Sequence, residues 1–247
     1  MSLTAGMAGR AARSPFNRLV ATAVAAGLLA GLALTAVQRV QVTPLIAQAE
    51  MYEDAGPAAP VAAHMDGHAH AHAHAQEHAH AGWKPENGVE RTLFTVLANA
   101  AMGVGYGLLL CAAMLVRGGR PTWRHGLLWS AACYAVFFVA PSLGLPPELP
   151  GTAAAPVGER QLWWSLTALA TAGGIALLAF GRNWMFALAG LILLAAPHLA
   201  GAPQPLVHAS VAPPDLAHAF VLASALANAA FWLVLGCGAA FFFKKFE

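Results

Sequence analysis

The sequence predicts an all-α fold class: a polytopic membrane helix bundle with about six transmembrane helices and both termini in the cytoplasm. Of its 247 residues, 58% are hydrophobic and only 10% are charged, whereas a soluble domain has about 25% charged residues. The apolar residues gather in runs of about 20, the length that crosses a bilayer as a helix. A net charge of +2 also argues against a nucleic-acid-binding protein, which needs a dense basic surface.

The chain divides into a cytoplasmic extension, a first span, a long loop, five further spans and a cytoplasmic tail. The second span begins after Arg91, the third ends in a proline-rich stretch, and the fifth ends at Pro197-His198. Basic residues, an apolar run and Ala47-Gln-Ala49 also fit a cleaved signal peptide, which would leave five spans. The predicted segments are 1–18 (extension), 19–37 (first span), 38–92 (outer His-rich loop), 93–116, 126–143, 162–181, 184–199 and 216–243 (the spans of the bundle 93–243), and 244–247 (tail).

Charged residues set the predicted orientation. With the N-terminus inside, nine of the 13 Lys and Arg residues lie in inner segments, as the positive-inside rule requires. Ten of the 11 acidic residues then lie outside. The sequence therefore predicts an acidic outer face suited to collecting cations.

Two spans carry small-residue motifs. Gly27 and Gly31 in the first span, and Gly103 and Gly107 in the second, have the GxxxG spacing that lets helix backbones approach closely in lipid. An alanine- and glycine-rich membrane protein also produces this spacing by chance. Close packing is expected, but a dimer cannot be inferred from the motif.

The outer loop carries the strongest chemical signal. Residues 64–80 hold seven of the 11 histidines, interleaved with alanine, and such tracts are typical of metal binding. Imidazole binds cobalt, nickel, copper and zinc ions, whereas magnesium and calcium prefer oxygen ligands. Because a bound histidine is neutral, capture should weaken below about pH 6.5. The alternative is a solvated low-complexity loop without a role. The candidate ligands are His64, His68, His70, His72, His74, His78 and His80.

Three further histidines are predicted at the outer rim of the bundle: His198, His208 and His218. Prolines around His198 free backbone carbonyls, which a membrane protein tolerates where they line a cavity. Satisfied interfacial histidines are the alternative interpretation. The predicted rim or pathway residues that accompany them are Glu50, Glu53, Asn99, Gln204 and Asn228, although interhelical hydrogen bonding explains the two asparagines equally well.

The sequence predicts no catalytic residue and no organic cofactor. The spans contain no carboxylate, which weakens a proton-coupled mechanism, and no nucleotide-binding or hydrolase motif is present. The cysteines Cys111, Cys133 and Cys237 lie in apolar runs without a CxxC pair, so we expect them to behave as small apolar residues. The chain is therefore predicted not to be an enzyme.

Several stretches together resemble the CbtA family of predicted cobalt transporter subunits. They are Ala49-Glu50-Met-Tyr52-Glu53, Gly82-Trp83, Leu97-Ala-Asn99, Leu145-Pro146-Pro147-Glu148-Leu-Pro150-Gly151, Arg160-Gln161-Leu-Trp163-Trp164, Pro197-His198-Leu and Leu216-Ala-His218-Ala-Phe220. The resemblance runs from about residue 18 to 236. It implies cobalt uptake in a bacterial inner membrane, associated with cobalamin synthesis, alongside a small single-span CbtB-type partner.

The leading hypothesis is thus a membrane subunit of a cobalt uptake transporter whose substrate is the cobalt ion, with lipid and the small partner as its other contacts. The alternatives are a membrane-anchored metal sensor or buffer, a transporter for nickel or zinc, and a membrane metalloenzyme. Imidazole accepts all of these metals, so the sequence does not separate them.

Overall fold

The computed structural model describes residues 14–55, 85, 88–118 and 122–246, and these are almost entirely helical. The helices are α1 (Pro15–Val37), α2 (Thr43–Ala55), α3 (Val89–Arg117), α4 (Trp123–Tyr134), α5 (Ala140–Ser142), α6 (Val157–Phe180), α7 (Trp184–Ala200) and α8 (Pro214–Lys245). Helix α1 continues through a π-helical turn, Gln38–Val42, into α2, and α4 continues through a second one, Ala135–Val139, into α5.

The first helix is much longer than the predicted first span. Residues 15–55 form one run of 41 helical residues, about 60 Å at 1.5 Å per residue and twice the bilayer core. Pro44 has no N–H to donate to the carbonyl oxygen four residues earlier, so one helical hydrogen bond is lost. The wider π-helical turn over Gln38–Val42 lets the helix continue past that lost bond. The predicted loop 38–92 therefore begins as helix. Hydropathy marks where a chain leaves the apolar layer, not where its helix ends.

Helices α1 and α3 pack together through their glycines. A Cβ atom on Gly31 would lie 2.5 Å from the carbonyl oxygen of Asn99, and one on Gly107 would lie 2.7 Å from that of Ala23. Gly27 and Gly103 approach each other's backbones still more closely. The two GxxxG motifs are thus partners within one chain.

Helix α8 completes the core. It packs along α1 and α4, and its buried side chains include Phe231, Trp232 and Leu235. At one end of the bundle, the Arg18 guanidinium donates to the carbonyl oxygen of Phe243 at 2.7 Å. At the other end, Ala49 of α2 is fully buried. We call this second end of the bundle the α2 end.

Helices α6 and α7 form an antiparallel hairpin at the edge of the bundle. Helix α7 packs on α6 and on no other helix of the described part of the chain, and α6 joins the rest through a stack of Phe137 on Trp164. Gly174 and Gly190 mark the closest approach of α6 and α7, since a Cβ on either would lie within 3 Å of the other's carbonyl oxygen.

The predicted fold class is confirmed: the chain is a polytopic helical bundle. Within the described ranges, five helices are long and apolar enough to cross a membrane, by length and composition. The remaining predicted span, the fifth (184–199), corresponds to α7, which has 17 residues and a length of about 26 Å, slightly less than a bilayer core.

Candidate functional site

Two loops close over the bundle at the α2 end. The stretch after α5 and the stretch before α8 are joined by an isolated bridge between Thr152 and Ser210, and Ala153 N–H donates to the Ala209 carbonyl at 2.9 Å. Leu149 and Ala212 are buried in the same core as α2. These contacts place both loops in one layer over the helix ends.

His198 lies at the α2 end, near the end of α7, against an aromatic ring. It is half-buried, and its ring stands edge-on to Trp163 of α6 with centroids 6.0 Å apart. The Trp163 indole N–H donates to the carbonyl oxygen of Pro197 at 3.3 Å. Because this bond holds the indole against the last turn of α7, the imidazole has a defined position at the mouth of the α6–α7 hairpin. We call Trp163, Pro197 and His198 the hairpin mouth.

The loop after α5 closes one side of the hairpin mouth. A Cβ on Gly144 would overlap the Trp163 ring and lie 2.9 Å from the Cβ of Ala202. Helix α7 ends at Gly201, whose φ of +82° suits glycine because a side chain is strained in that region. The hairpin mouth is thus formed by α6 and α7 and closed on one side by the loop after α5.

The two predicted rim glutamates have separate surroundings. Glu50 accepts two hydrogen bonds from Arg91 of α3, at 2.8 and 3.2 Å. Glu53 is exposed and lies about 3.6 Å from the position that a Cβ on Gly151 would occupy. Of these two glutamates, Glu53 is thus the exposed one beside the closing loops, because Glu50 ties α2 to α3.

A cavity of about 640 Å³ lies beside the hairpin, between α5 and the start of α6. Its polar side carries the ion pair Arg160–Glu148, with the two atoms 2.9 Å apart, and its apolar side carries Phe137, Phe138 and Trp164. Trp164, which lines the cavity, directly follows Trp163 of the hairpin mouth on α6.

The remaining predicted rim residues do not converge on His198. His208 and His218 are exposed, and the exposed Gln204 donates to the carbonyl of Ala202 at 3.3 Å, within its own turn. Among the described residues, no three His, Cys, Asp or Glu side chains come together as a metal site.

The two predicted pathway asparagines make structural hydrogen bonds. Asn99 is buried and donates to Thr35 Oγ1 at 3.0 Å and to Gln38 Oε1 at 2.7 Å, which links α3 to α1. Asn228 donates to the Ser224 carbonyl at 2.9 Å in its own helix. The sequence left two interpretations open for the asparagines. Asn99 does make the interhelical hydrogen bonds that one of them expects.

The seven histidines of the tract lie outside the residues that the structure describes. They are His64, His68, His70, His72, His74, His78 and His80. Their part in metal capture stays a prediction from composition.

Sequence reasoning did not single out Trp163 and Gly144. A signal for Trp163 was present, because Trp163, Thr167 and Thr171 follow one another at intervals of four residues, which places them along one side of a helix. Gly144 carries no comparable signal, since its contact with Trp163 spans two connections. Only the tertiary structure brings these residues to Pro197 and His198.

Comparison with known protein families agrees with the architecture. The family model described as probable cobalt transporter subunit (CbtA) matches residues 16–244, which include every spanning helix and both closing loops. Searches of the curated proteins and of the solved structures found no match. A match over nearly the whole chain, on a multi-pass helical bundle, shows that the chain belongs to the CbtA family of probable cobalt transporter subunits.

Proposed function

We propose that the chain is the integral-membrane subunit of a cobalt uptake transporter, with the α2 end facing outward and the hairpin mouth as its metal entrance. The single observation that supports the proposed metal entrance is the position of His198. It is a half-buried imidazole held at the proline-containing end of α7, edge-on to Trp163. Imidazole is a good ligand for cobalt, and a polar side chain at membrane depth commonly marks a pathway.

Charge supports the proposed orientation. With the α2 end outside, Glu53, Asp54 and Asp215 lie on the outer face and are exposed, while Lys244 and Lys245 of α8 lie inside, in accord with the positive-inside rule. An acidic outer surface raises the local concentration of cations. A divalent cation moving inward then gains about 4.6 kcal/mol per 100 mV of membrane potential.

In this proposal the histidine tract at 64–80 captures metal and passes it to the hairpin mouth. The tract follows α2, which ends at Ala55, on the same outer side. Multiple exchangeable imidazoles raise the local metal concentration without forming one tight site. We also propose a small single-span CbtB-type subunit as the partner, because the family describes a subunit, and the bacterial inner membrane as the location.

Uptake of labelled cobalt into vesicles, with and without the partner, tests the proposal. Deleting residues 64–80 should raise the cobalt concentration needed for half-maximal uptake without abolishing uptake. His198→Ala should reduce uptake more than that deletion does. His125→Ala is the control, because His125 lies at the opposite end and caps α4 through Thr122; it should leave uptake close to that of the parent protein.

Three outcomes would contradict parts of this proposal. Equal uptake in His198→Ala and the parent would remove the hairpin mouth from the pathway. Unchanged uptake after the deletion would remove the tract. Metal binding without uptake, with the partner present, would favour the membrane-anchored sensor or buffer. Competition by nickel and zinc identifies the metal, because imidazole accepts all three ions.

A further inference from the structure

Two buried hydroxyl groups lie below the hairpin mouth without a hydrogen-bond partner. Thr167 is fully buried and Thr171 is 3% exposed, and neither Oγ1 atom has a partner within the part of the chain that the structure describes. A buried hydroxyl is costly to leave unpaired, so an unpaired one in a native structure requires an explanation. Two of them one helical turn apart on α6 require the same explanation.

Both hydroxyl groups face the region where α7 packs. At about 100° per residue, Thr167 lies about 20° and Thr171 about 60° from Gly174 around the axis of α6. Gly174 is the residue that meets Gly190 of α7. Along α6, both threonines lie between that contact and Trp163, whose indole bonds the Pro197 carbonyl. The hydroxyls therefore occupy the segment of the hairpin between its mouth and its tightest crossing.

Helix α7 supplies a backbone carbonyl at the same depth. Pro197 has no N–H, so it cannot donate to the carbonyl of Leu193 four residues earlier. Leu193 lies beside α6, because a Cβ on Gly173 would be 3.4 Å from its Cδ1. One α7 carbonyl without its helical donor thus lies in the same segment of the hairpin as Thr167 and Thr171.

We propose that Thr167, Thr171 and the Leu193 carbonyl form a hydrated polar site that continues inward from the hairpin mouth. All three groups are neutral oxygens. A bare divalent ion in a low-dielectric interior needs a counter-charge, so these oxygens suit water and a cation that keeps part of its hydration shell. The role of this site as the step after His198 rests on the proposed function. Its hydration rests on the geometry alone.

Thr22 provides a matched comparison. It is a fully buried threonine of α1 whose Oγ1 also has no partner among the described residues, but it lies in the core formed with α3 and α8, away from α7. If all three unpaired hydroxyl groups were dry, Thr22 and the two α6 threonines would give the same result in tests of water access and of stability. If the α6 site is hydrated, Thr167 and Thr171 should differ from Thr22 in both tests.

Cysteine accessibility tests the hydrated site without requiring transport. In a variant whose native cysteines Cys111, Cys133 and Cys237 are replaced by alanine, Thr167→Cys and Thr22→Cys are exposed from outside to a membrane-impermeant, charged methanethiosulfonate. The thiolate is the reactive form, so a hydrated Thr167→Cys should react about tenfold or more faster than Thr22→Cys. Equal, slow labelling at both positions would overturn the proposal.

A second measurement covers the case in which a cysteine variant does not fold. Thr22→Val removes a dry, unpaired hydroxyl and should raise Tm by about 2–4 °C. Thr167→Val removes a hydroxyl bonded to water and should lower Tm or leave it unchanged, while Thr167→Ser should match the parent. A rise in Thr167→Val equal to that in Thr22→Val would overturn the proposal. Labelling of Thr167→Cys in a protein that takes up no cobalt would contradict the proposed function and leave the hydrated site standing.

Discussion

Replacing Gly103 by alanine tests the packing of α1 on α3. The new Cβ would lie 3.0 Å from the carbonyl carbon of Gly27 and closer still to its oxygen, whereas ordinary contacts are 3.4–4 Å. The obstacle is backbone, which no rotamer change can move. Overpacking costs about 1–3 kcal/mol, and the better helix propensity of alanine returns about 1 kcal/mol. With the upper overpacking value, we expect a net loss of about 2 kcal/mol.

Thermal unfolding in detergent, followed by size-exclusion chromatography, measures this effect. A loss of about 2 kcal/mol corresponds to a fall in Tm of about 4–8 °C for a chain of this size. Gly105→Ala is the matched control, because Gly105 lies in the same helix and its Cβ would have no heavy atom within 4 Å. We expect its Tm to stay unchanged or to rise slightly. The same Tm for both variants would refute the packing of Gly103 against Gly27.

Three further perturbations test separate contacts. Asn99→Leu removes two hydrogen bonds to α1 and should cost about 1 kcal/mol, measured by Tm; no fall in Tm would mean that the amide is not bonded there. Glu50→Gln weakens the ion pair with Arg91, in which the Arg91 side chain is 28% and the Glu50 side chain 35% exposed, and should lower the free energy of unfolding by about 0.5–1 kcal/mol. This loss should shrink at high salt, because salt screens partly exposed ion pairs. A loss that does not depend on salt would contradict the electrostatic explanation. Gly144→Ala should displace the Trp163 ring and lower cobalt uptake, whereas Gly158→Ala, which has open space around it, should leave uptake unchanged. Equal uptake in the two variants would mean that transport does not depend on the position of the Trp163 ring.

Much of the fold could be predicted from local properties of the sequence. Every predicted span corresponds to a helix, since about 20 apolar residues between charges can only be accommodated in a bilayer as a helix with its backbone bonds satisfied. The end of the first helix could not be predicted in this way. Residues 38–55 are polar enough to leave the bilayer, and their helix persists because Leu45, Ile46 and Ala49 pack against the core at the α2 end.

The candidate site was less predictable. His198 was identified from its setting among prolines, but its contact with Trp163 joins two residues that lie 35 positions apart in the sequence, on different helices. Glu50 was predicted as a rim residue, and its pairing with Arg91 depends on how α2 leaves the bilayer. Composition gives the types of side chain available, whereas three-dimensional packing decides which charges neutralise each other.

The sequence by itself determined that this is a membrane protein, which segments are helices, and that histidines and acids lie predominantly on one predicted side. Those properties depend on hydropathy and charge, which are read residue by residue. Only the tertiary structure decided that the two GxxxG motifs pack on each other, that Asn99 bonds α3 to Thr35 and Gln38, and that Trp163, Pro197 and His198 form one mouth above two buried threonines. Such contacts depend on the distance between residues that are far apart in the chain, and a linear pattern carries no information about that distance.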